Sequence, residues 1–193
     1  DDTDDSAWIW VDMDTVFADN SSQYIVMYWG KSGESSEESS SNVFETGGSS
    51  NDFRGVWHFP TTNSLNDATS NANNVTNNGT AEADGVISTC RDFELGETDN
   101  LTLADNASVS LTSTFTISCW INYETVGTWY GIVSKDASEW RLVSPNNGAD
   151  NDLRFNINGG SDRTSTSSLS ASTGTWYHIA GVFDNTNNEI KFY

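Results

Sequence analysis

Residues 115–123 alternate between two kinds of side chain. Phe115, Ile117, Cys119, Ile121 and Tyr123 fill one set of positions, and Thr116, Ser118 and Asn122 fill the other, with Trp120 the apolar exception. A period of two puts successive side chains on opposite faces, so this segment predicts a strand with one face in a core. Residues 176–183 (WYHIAGVF) are apolar on both faces, which predicts a central strand. Shorter runs bounded by Gly, Asn, Asp or Ser predict further strands at 7–11, 23–29, 53–59, 86–95, 100–103, 129–135, 139–144, 152–157 and 188–193. No helical period competes with them.

Two polar stretches interrupt this pattern. Residues 31–42 (KSGESSEESSSN) hold too little apolar surface to bury and read as a linker or loop. Residues 61–84 are almost wholly Asn, Thr, Ser, Asp and Ala and read as one long polar loop. The expected organisation is a partial N-terminal β domain with its linker at 1–45 and a sandwich at 46–193. The expected fold is all-β: an antiparallel two-sheet sandwich with a short partial β region at its N-terminus.

Charge narrows the partners. With 28 acidic against 8 basic residues the net charge is −20. Phosphate binding needs clustered Lys and Arg, so nucleic acid is excluded, and an anionic membrane surface is disfavoured for the same reason. The acidity fits either solubility by self-repulsion or a salt-rich, halophilic setting. No window approaches the roughly 18–20 apolar residues of a membrane helix, so no membrane insertion is expected in this segment. No basic-then-apolar leader opens the chain.

Several motifs carry chemistry. Asn-x-Ser/Thr acceptor sequences for glycosylation occur at Asn20, Asn74, Asn78, Asn100 and Asn106. Cys90 and Cys119 have no metal-ligand spacing. In a reducing compartment they read as core thiols, and in an exported chain as a disulfide. His58 and His178 sit in apolar strands with no nucleophile turn beside them, so both read as packed or edge histidines.

FTISCWI at 115–121, GIVSKD at 131–136, WRL at 140–142, LRFNI at 153–157, and TWYHIAGVFD followed by NEIKFY at 175–193 together resemble a laminin-G-like domain of the concanavalin A-like superfamily. The order and spacing agree from residue 53 onward, and the resemblance implies a two-sheet jelly roll. IVMYWGKSG at 25–33, NVFE at 42–45 and GVWHF at 55–59 resemble the C-terminal half of a prokaryotic domain of unknown function that often precedes such a domain. Where that family shows Tyr-Tyr-Gly-Asn, this chain has Tyr28-Trp29-Gly30-Lys31. The early strands of that domain are missing, and the sandwich stops at Tyr193, where the family continues with a hairpin. The expectation is therefore a fragment of a longer protein, or strand complementation by a neighbouring chain.

The resemblance also implies sites. Residues 66–74 (NDATSNANN) resemble the family's Asp-x-Ser/Thr-Gly-Asn loop. Oxygen-rich loops suit calcium, which makes Asp67, Asn71 and Asn73 the candidate metal ligands. The competing reading is a turn-rich loop whose Asn and Asp side chains bond their own backbone. Trp129 and Tyr130, near a loop, are candidates for stacking on sugar rings, whereas Trp120, Trp140 and Trp176 are expected in the core. Laminarinase-type relatives carry Glu-x-Asp-x-x-Glu on one strand, which places the acid and the nucleophile about 5 Å apart. Here Glu94 and Glu97 are three apart, on opposite faces of a strand, with Gly96 suggesting a turn. No catalytic residues are assigned and no enzyme activity is expected. The expected function is a binding or adhesion module of a larger prokaryotic protein, extracellular or at the cell surface, with glycan or surface-protein partners. The alternatives are a structural spacer or the extracytoplasmic part of a proton-channel-type transport protein, with a glycoside hydrolase further behind.

Overall fold

A computed structural model of the chain describes residues 9–13, 15–19, 21–28, 30–33, 35, 39–44, 52–60, 64–94, 96–126, 130–136, 139–144, 153–157, 163–164 and 169–193. The strands among them are β1 (Thr76–Asn78), β2 (Ala81–Asp84), β3 (Thr89–Asp92), β4 (Asn100–Thr102), β5 (Phe115–Asn122), β6 (Gly131–Ser134), β7 (Trp140–Val143), β8 (Arg154–Ile157), β9 (Arg163–Thr164), β10 (Trp176–Asp184) and β11 (Glu189–Phe192). Among the described residues, helical structure is limited to one α turn, α1 (Ser40–Val43), and a 3-10 turn at Ala107–Val109. Every ladder between these strands is antiparallel. The fold class is all-β, as the alternating pattern predicts.

The chain divides into two compact units, residues 1–104 and 105–193. The second unit holds a three-stranded sheet in the order β11-β10-β5 and a four-stranded sheet in the order β6-β7-β8-β9. The doubly apolar β10 is central in its sheet. β5 pairs with it over eight residues, from Trp176 opposite Asn122 to Phe183 opposite Phe115. The odd face of β5 turns inward, and Phe115 meets Phe155 of β8 edge-on at 5.5 Å and Phe183 of β10 at 5.9 Å. Trp140, Leu142, Leu153, Phe155, Ile179 and Phe183 form the core between the two sheets. Gly181 lets the sheets approach, because a methyl there would come 3.2 Å from a Phe155 ring carbon. Trp140 seals one side, its indole Nε1–H donating to the carbonyl of Val109 at 3.0 Å.

The first unit holds two short antiparallel pairs, β1 with β4 and β2 with β3. β1 and β2 lie inside the stretch expected to be one long loop. β1 has no apolar face and β2 offers only the methyls of Ala81 and Ala83, so backbone bonds and Asn and Thr side chains hold these ladders. Arg91 of β3 is buried, donating from Nε to Thr80 Oγ1 at 3.0 Å and from Nη2 to the Thr80 carbonyl. The segments expected as strands at 7–11, 23–29 and 53–59 form no ladder among the described residues. α1 delivers Phe44 into a ring cluster with Trp10, Phe53 and His58, at centroid separations of 5.2–5.8 Å. These rings come from both sides of the expected boundary at 45/46. Burial lowers the pKa of His58.

Candidate binding face

The even positions of β5 and β10 point away from the core of the second unit. Their register sets Trp120 opposite His178 and Asn122 opposite Trp176, with Ser118 opposite Ala180 one step along. Beyond β11, Tyr193 exchanges two backbone hydrogen bonds with Ala180, which puts its side chain on the same face. Trp120 is 45% exposed and Tyr193 74% exposed. His178 is also exposed and Trp176 half-buried. The Trp120 and His178 rings lie 5.2 Å apart at an interplanar angle of 58°. The outer face of a fully laddered sheet thus carries an aromatic surface bordered by the small polar side chains of Thr116, Ser118 and Asn122.

This corrects the expectation that Trp120 is a core residue. The preference of tryptophan for burial argued for the interior, but the parity of β5 argued for the face shared by Thr116, Ser118 and Asn122, and parity wins. His178, expected to be packed or at an edge, is Trp120's cross-strand partner. Trp140 does lie in the core. Of the two aromatic residues expected to stack on sugars, Trp129 lies outside the described residues. Tyr130 is half-buried, and its backbone N–H and carbonyl are both bonded to Ser144, to the hydroxyl oxygen and the backbone N–H respectively.

The loop at 64–75 is built around Asp67, which is 8% exposed. Asp67 Oδ1 accepts the backbone N–H groups of Val56 and Thr69, both at 2.9 Å. Oδ2 accepts the Thr69 hydroxyl at 2.7 Å and the Asn73 N–H at 3.0 Å. Asn73 is 1% exposed, and its side-chain amide donates to the Arg54 carbonyl at 2.7 Å. Asn71 donates to the carbonyls of Phe53 and Arg54 at 3.2 and 3.3 Å. Trp57 Nε1–H donates to the Asn73 carbonyl at 2.8 Å. The three residues expected to ligate calcium are brought together, but they do not fit a cation. The only carboxylate among them has both oxygens occupied by protein donors, and both Asn amides point N–H groups at backbone carbonyls. The arrangement matches the competing reading of a self-bonded Asx loop.

Glu94 and Glu97 flank a turn at Gly96, whose φ is +96°, and the Glu97 N–H reaches the Glu94 carbonyl at 3.4 Å. They do not share one face of a strand, so the spacing that paired-carboxylate hydrolysis needs is not met there. The expected bridge between Cys90 and Cys119 is not made, and both thiols are free. Cys90, on β3, donates to the Asp84 carbonyl at 3.5 Å, whereas Cys119 packs against the core of the second unit. Of the five glycosylation acceptors, Asn20 lies outside the described residues, and Asn74, Asn78, Asn100 and Asn106 are all exposed.

No described helix is long and apolar enough to cross a membrane. Residues 95–193 match a laminin-G family model described as the concanavalin A-like lectin/glucanases superfamily. Neither the curated proteins nor the solved structures contain a match to the chain.

Proposed function

The chain belongs to the concanavalin A-like lectin/glucanases superfamily, and from that membership we propose that it is a non-catalytic, extracellular binding module whose ligand is a neutral glycan. Laminin-G-like domains are binding modules for carbohydrate or protein, generally non-catalytic and typically extracellular.

The observation that supports a glycan is the exposed, tilted ring pair Trp120 and His178 on the outer face of the β5–β10 ladder. A pyranose ring offers a patch of C–H bonds on one face and hydroxyls around its rim. The C–H patch packs on an indole, and the rim hydroxyls find partners such as Asn122, Ser118 and the His178 imidazole. Because eight residue pairs fix the strands, the aromatic surface is organised before the ligand arrives, which reduces the ordering cost of binding. The charge of −20 repels polyanionic glycans, so neutral chains are favoured.

The test is a glycan array followed by titration calorimetry, with the native chain and the Trp120→Ala variant, each in calcium and in chelator. Neutral oligosaccharides are expected to bind the native chain equally in both buffers. Trp120→Ala is expected to weaken binding about tenfold or more, equivalent to about 1.4 kcal/mol, with an unchanged circular-dichroism spectrum. Equal binding by the variant would remove the aromatic face from the argument, and turnover of a β-glucan would replace a binding module with a hydrolase.

A further inference from the structure

The acceptor sequences are equivalent as motifs, but the fold uses their side chains in two different ways. N-linked transfer modifies Nδ2. That nitrogen attacks C1 of the first sugar of a lipid-linked oligosaccharide phosphate. The N–C1 bond forms as the C1–O bond to phosphate breaks, the lipid phosphate leaves, and one amide proton passes to the transferase. The product amide keeps its Oδ1 acceptor and a single N–H.

Asn74 and Asn106 enter the fold through Oδ1. Asn74 Oδ1 accepts the Asp67 N–H at 2.9 Å, and Asn106 Oδ1 accepts the Ser108 N–H at 2.9 Å as the cap of the 3-10 turn. Both bonds survive attachment of a sugar at Nδ2. Asn78 and Asn100 are joined through Nδ2. Asn78 Nδ2 donates to Asn100 Oδ1 at 2.8 Å and to Thr102 Oγ1 at 3.1 Å, and Asn100 Nδ2 donates to the Thr98 carbonyl at 2.7 Å. The two asparagines are direct cross-strand partners in the β1–β4 ladder. Their Cβ atoms are therefore about 4.5–5.5 Å apart, too close for a sugar on each. The hydroxyl of the Asn78 acceptor sequence is also withdrawn. Thr80 is 3% exposed, donating to Asn77 Oδ1 at 2.7 Å and accepting from Arg91.

We propose that Asn74 and Asn106 are N-glycosylation sites compatible with the folded chain, and that Asn78 and Asn100 exclude one another. The experiment expresses the full chain in a host with an N-linked transferase and maps glycopeptides and intact mass. It is repeated for Thr76→Val and Ser108→Ala, which destroy the motifs while keeping Asn74 and Asn106. Native chains are expected to carry sugar at Asn74 and Asn106 and to melt within a few degrees of the enzymatically deglycosylated chain. Each motif variant is expected to lose one glycan mass. No molecule is expected to carry sugar at both Asn78 and Asn100. Chains bare at Asn74 or Asn106, or single molecules occupied at both Asn78 and Asn100, overturn the proposal.

Discussion

The backbone N–H of Asn73 donates to Asp67 Oδ2 at 3.0 Å, across six residues of chain. With the bonds from Val56 and Thr69, it makes one buried carboxylate the common acceptor for a loop and for the segment beneath it. Hydrogen bonds to a charged acceptor contribute about 1.5–3 kcal/mol each, and bonds sharing one acceptor do not add. Asp67→Ala is therefore expected to cost about 3 kcal/mol in urea unfolding, with three backbone N–H groups left unsatisfied. Since protein donors already occupy the carboxylate, millimolar calcium or chelator is expected to leave the melting temperature of the native chain unchanged. A calcium-dependent rise that disappears in Asp67→Ala would show that a cation displaces those donors.

The core makes its own prediction at Trp140, which is 7% exposed and bonded to the Val109 carbonyl. Trp140→Phe keeps a ring in the cavity but leaves that carbonyl without its indole partner, at an expected cost of about 1–3 kcal/mol. Trp140→Ala adds a cavity beside Phe115 and is expected to cost about 3–5 kcal/mol. Comparing the two by chemical denaturation separates the hydrogen bond from the packing. A Trp140→Phe chain as stable as the native would mean that the bond contributes nothing, and equal losses in the two variants would mean that the bond rather than the packing carries the effect.

These elements differ in how far the chain announces them. β5 and β10 could be read directly, because alternation and a doubly apolar run are what half-buried and central strands require. β1 and β2 could not, because Thr76-Asn77-Asn78 presents no apolar face, Ala81-Glu82-Ala83-Asp84 presents nothing larger than alanine, and their pairing is settled by partners elsewhere in the chain. The apolar run at 23–28 looks like a strand by composition, yet a ladder needs a second edge, and none of the described residues supplies one. Asp67 stood out as the carboxylate of an oxygen-rich loop. Its donors are mostly backbone N–H groups, which every residue but proline carries, so no side-chain pattern could reveal them. Trp120 carried conflicting signals in residue type and parity, and His178 became visible as its partner only once the β5–β10 register was known.

The two cysteines are expected to react differently. Burial pushes the Cys119 thiol up to about 11. The Cys90 thiol is also raised, by burial first and then by the carboxylates of Asp92 and Asp84. At pH 8 a brief exposure to a maleimide or disulfide reagent is expected to label Cys90 ahead of Cys119, and denaturant is expected to release two thiols per chain. Fewer than two would reveal a disulfide. The raised pKa also sets a direction for stability. Above about pH 9, the ordinary thiol value, the unfolded chain loses the Cys119 proton while the folded chain keeps it. Stability is therefore expected to fall from about pH 9 until the folded thiol also ionises near 11. Cys119→Ala is expected to flatten that decline.

Tyr123 closes the odd face of β5 and is 9% exposed, with its hydroxyl buried and without a hydrogen-bond partner among the described residues. Burial, reinforced by Cys119 and Tyr177, holds its phenol well above the usual tyrosine range. An unpaired buried hydroxyl costs its desolvation and returns nothing, so Tyr123→Phe keeps the ring and removes a liability. Stability is expected to stay level or to rise by about 1 kcal/mol in urea unfolding, where a core tyrosine with a bonded hydroxyl would lose a similar amount. An ultraviolet pH titration gives an independent readout, because Tyr123 in the folded native chain is expected to remain un-ionised above the ordinary tyrosine range. Loss of stability in Tyr123→Phe, or ionisation of Tyr123 in the ordinary tyrosine range, would mean that water or a protein group reaches the hydroxyl.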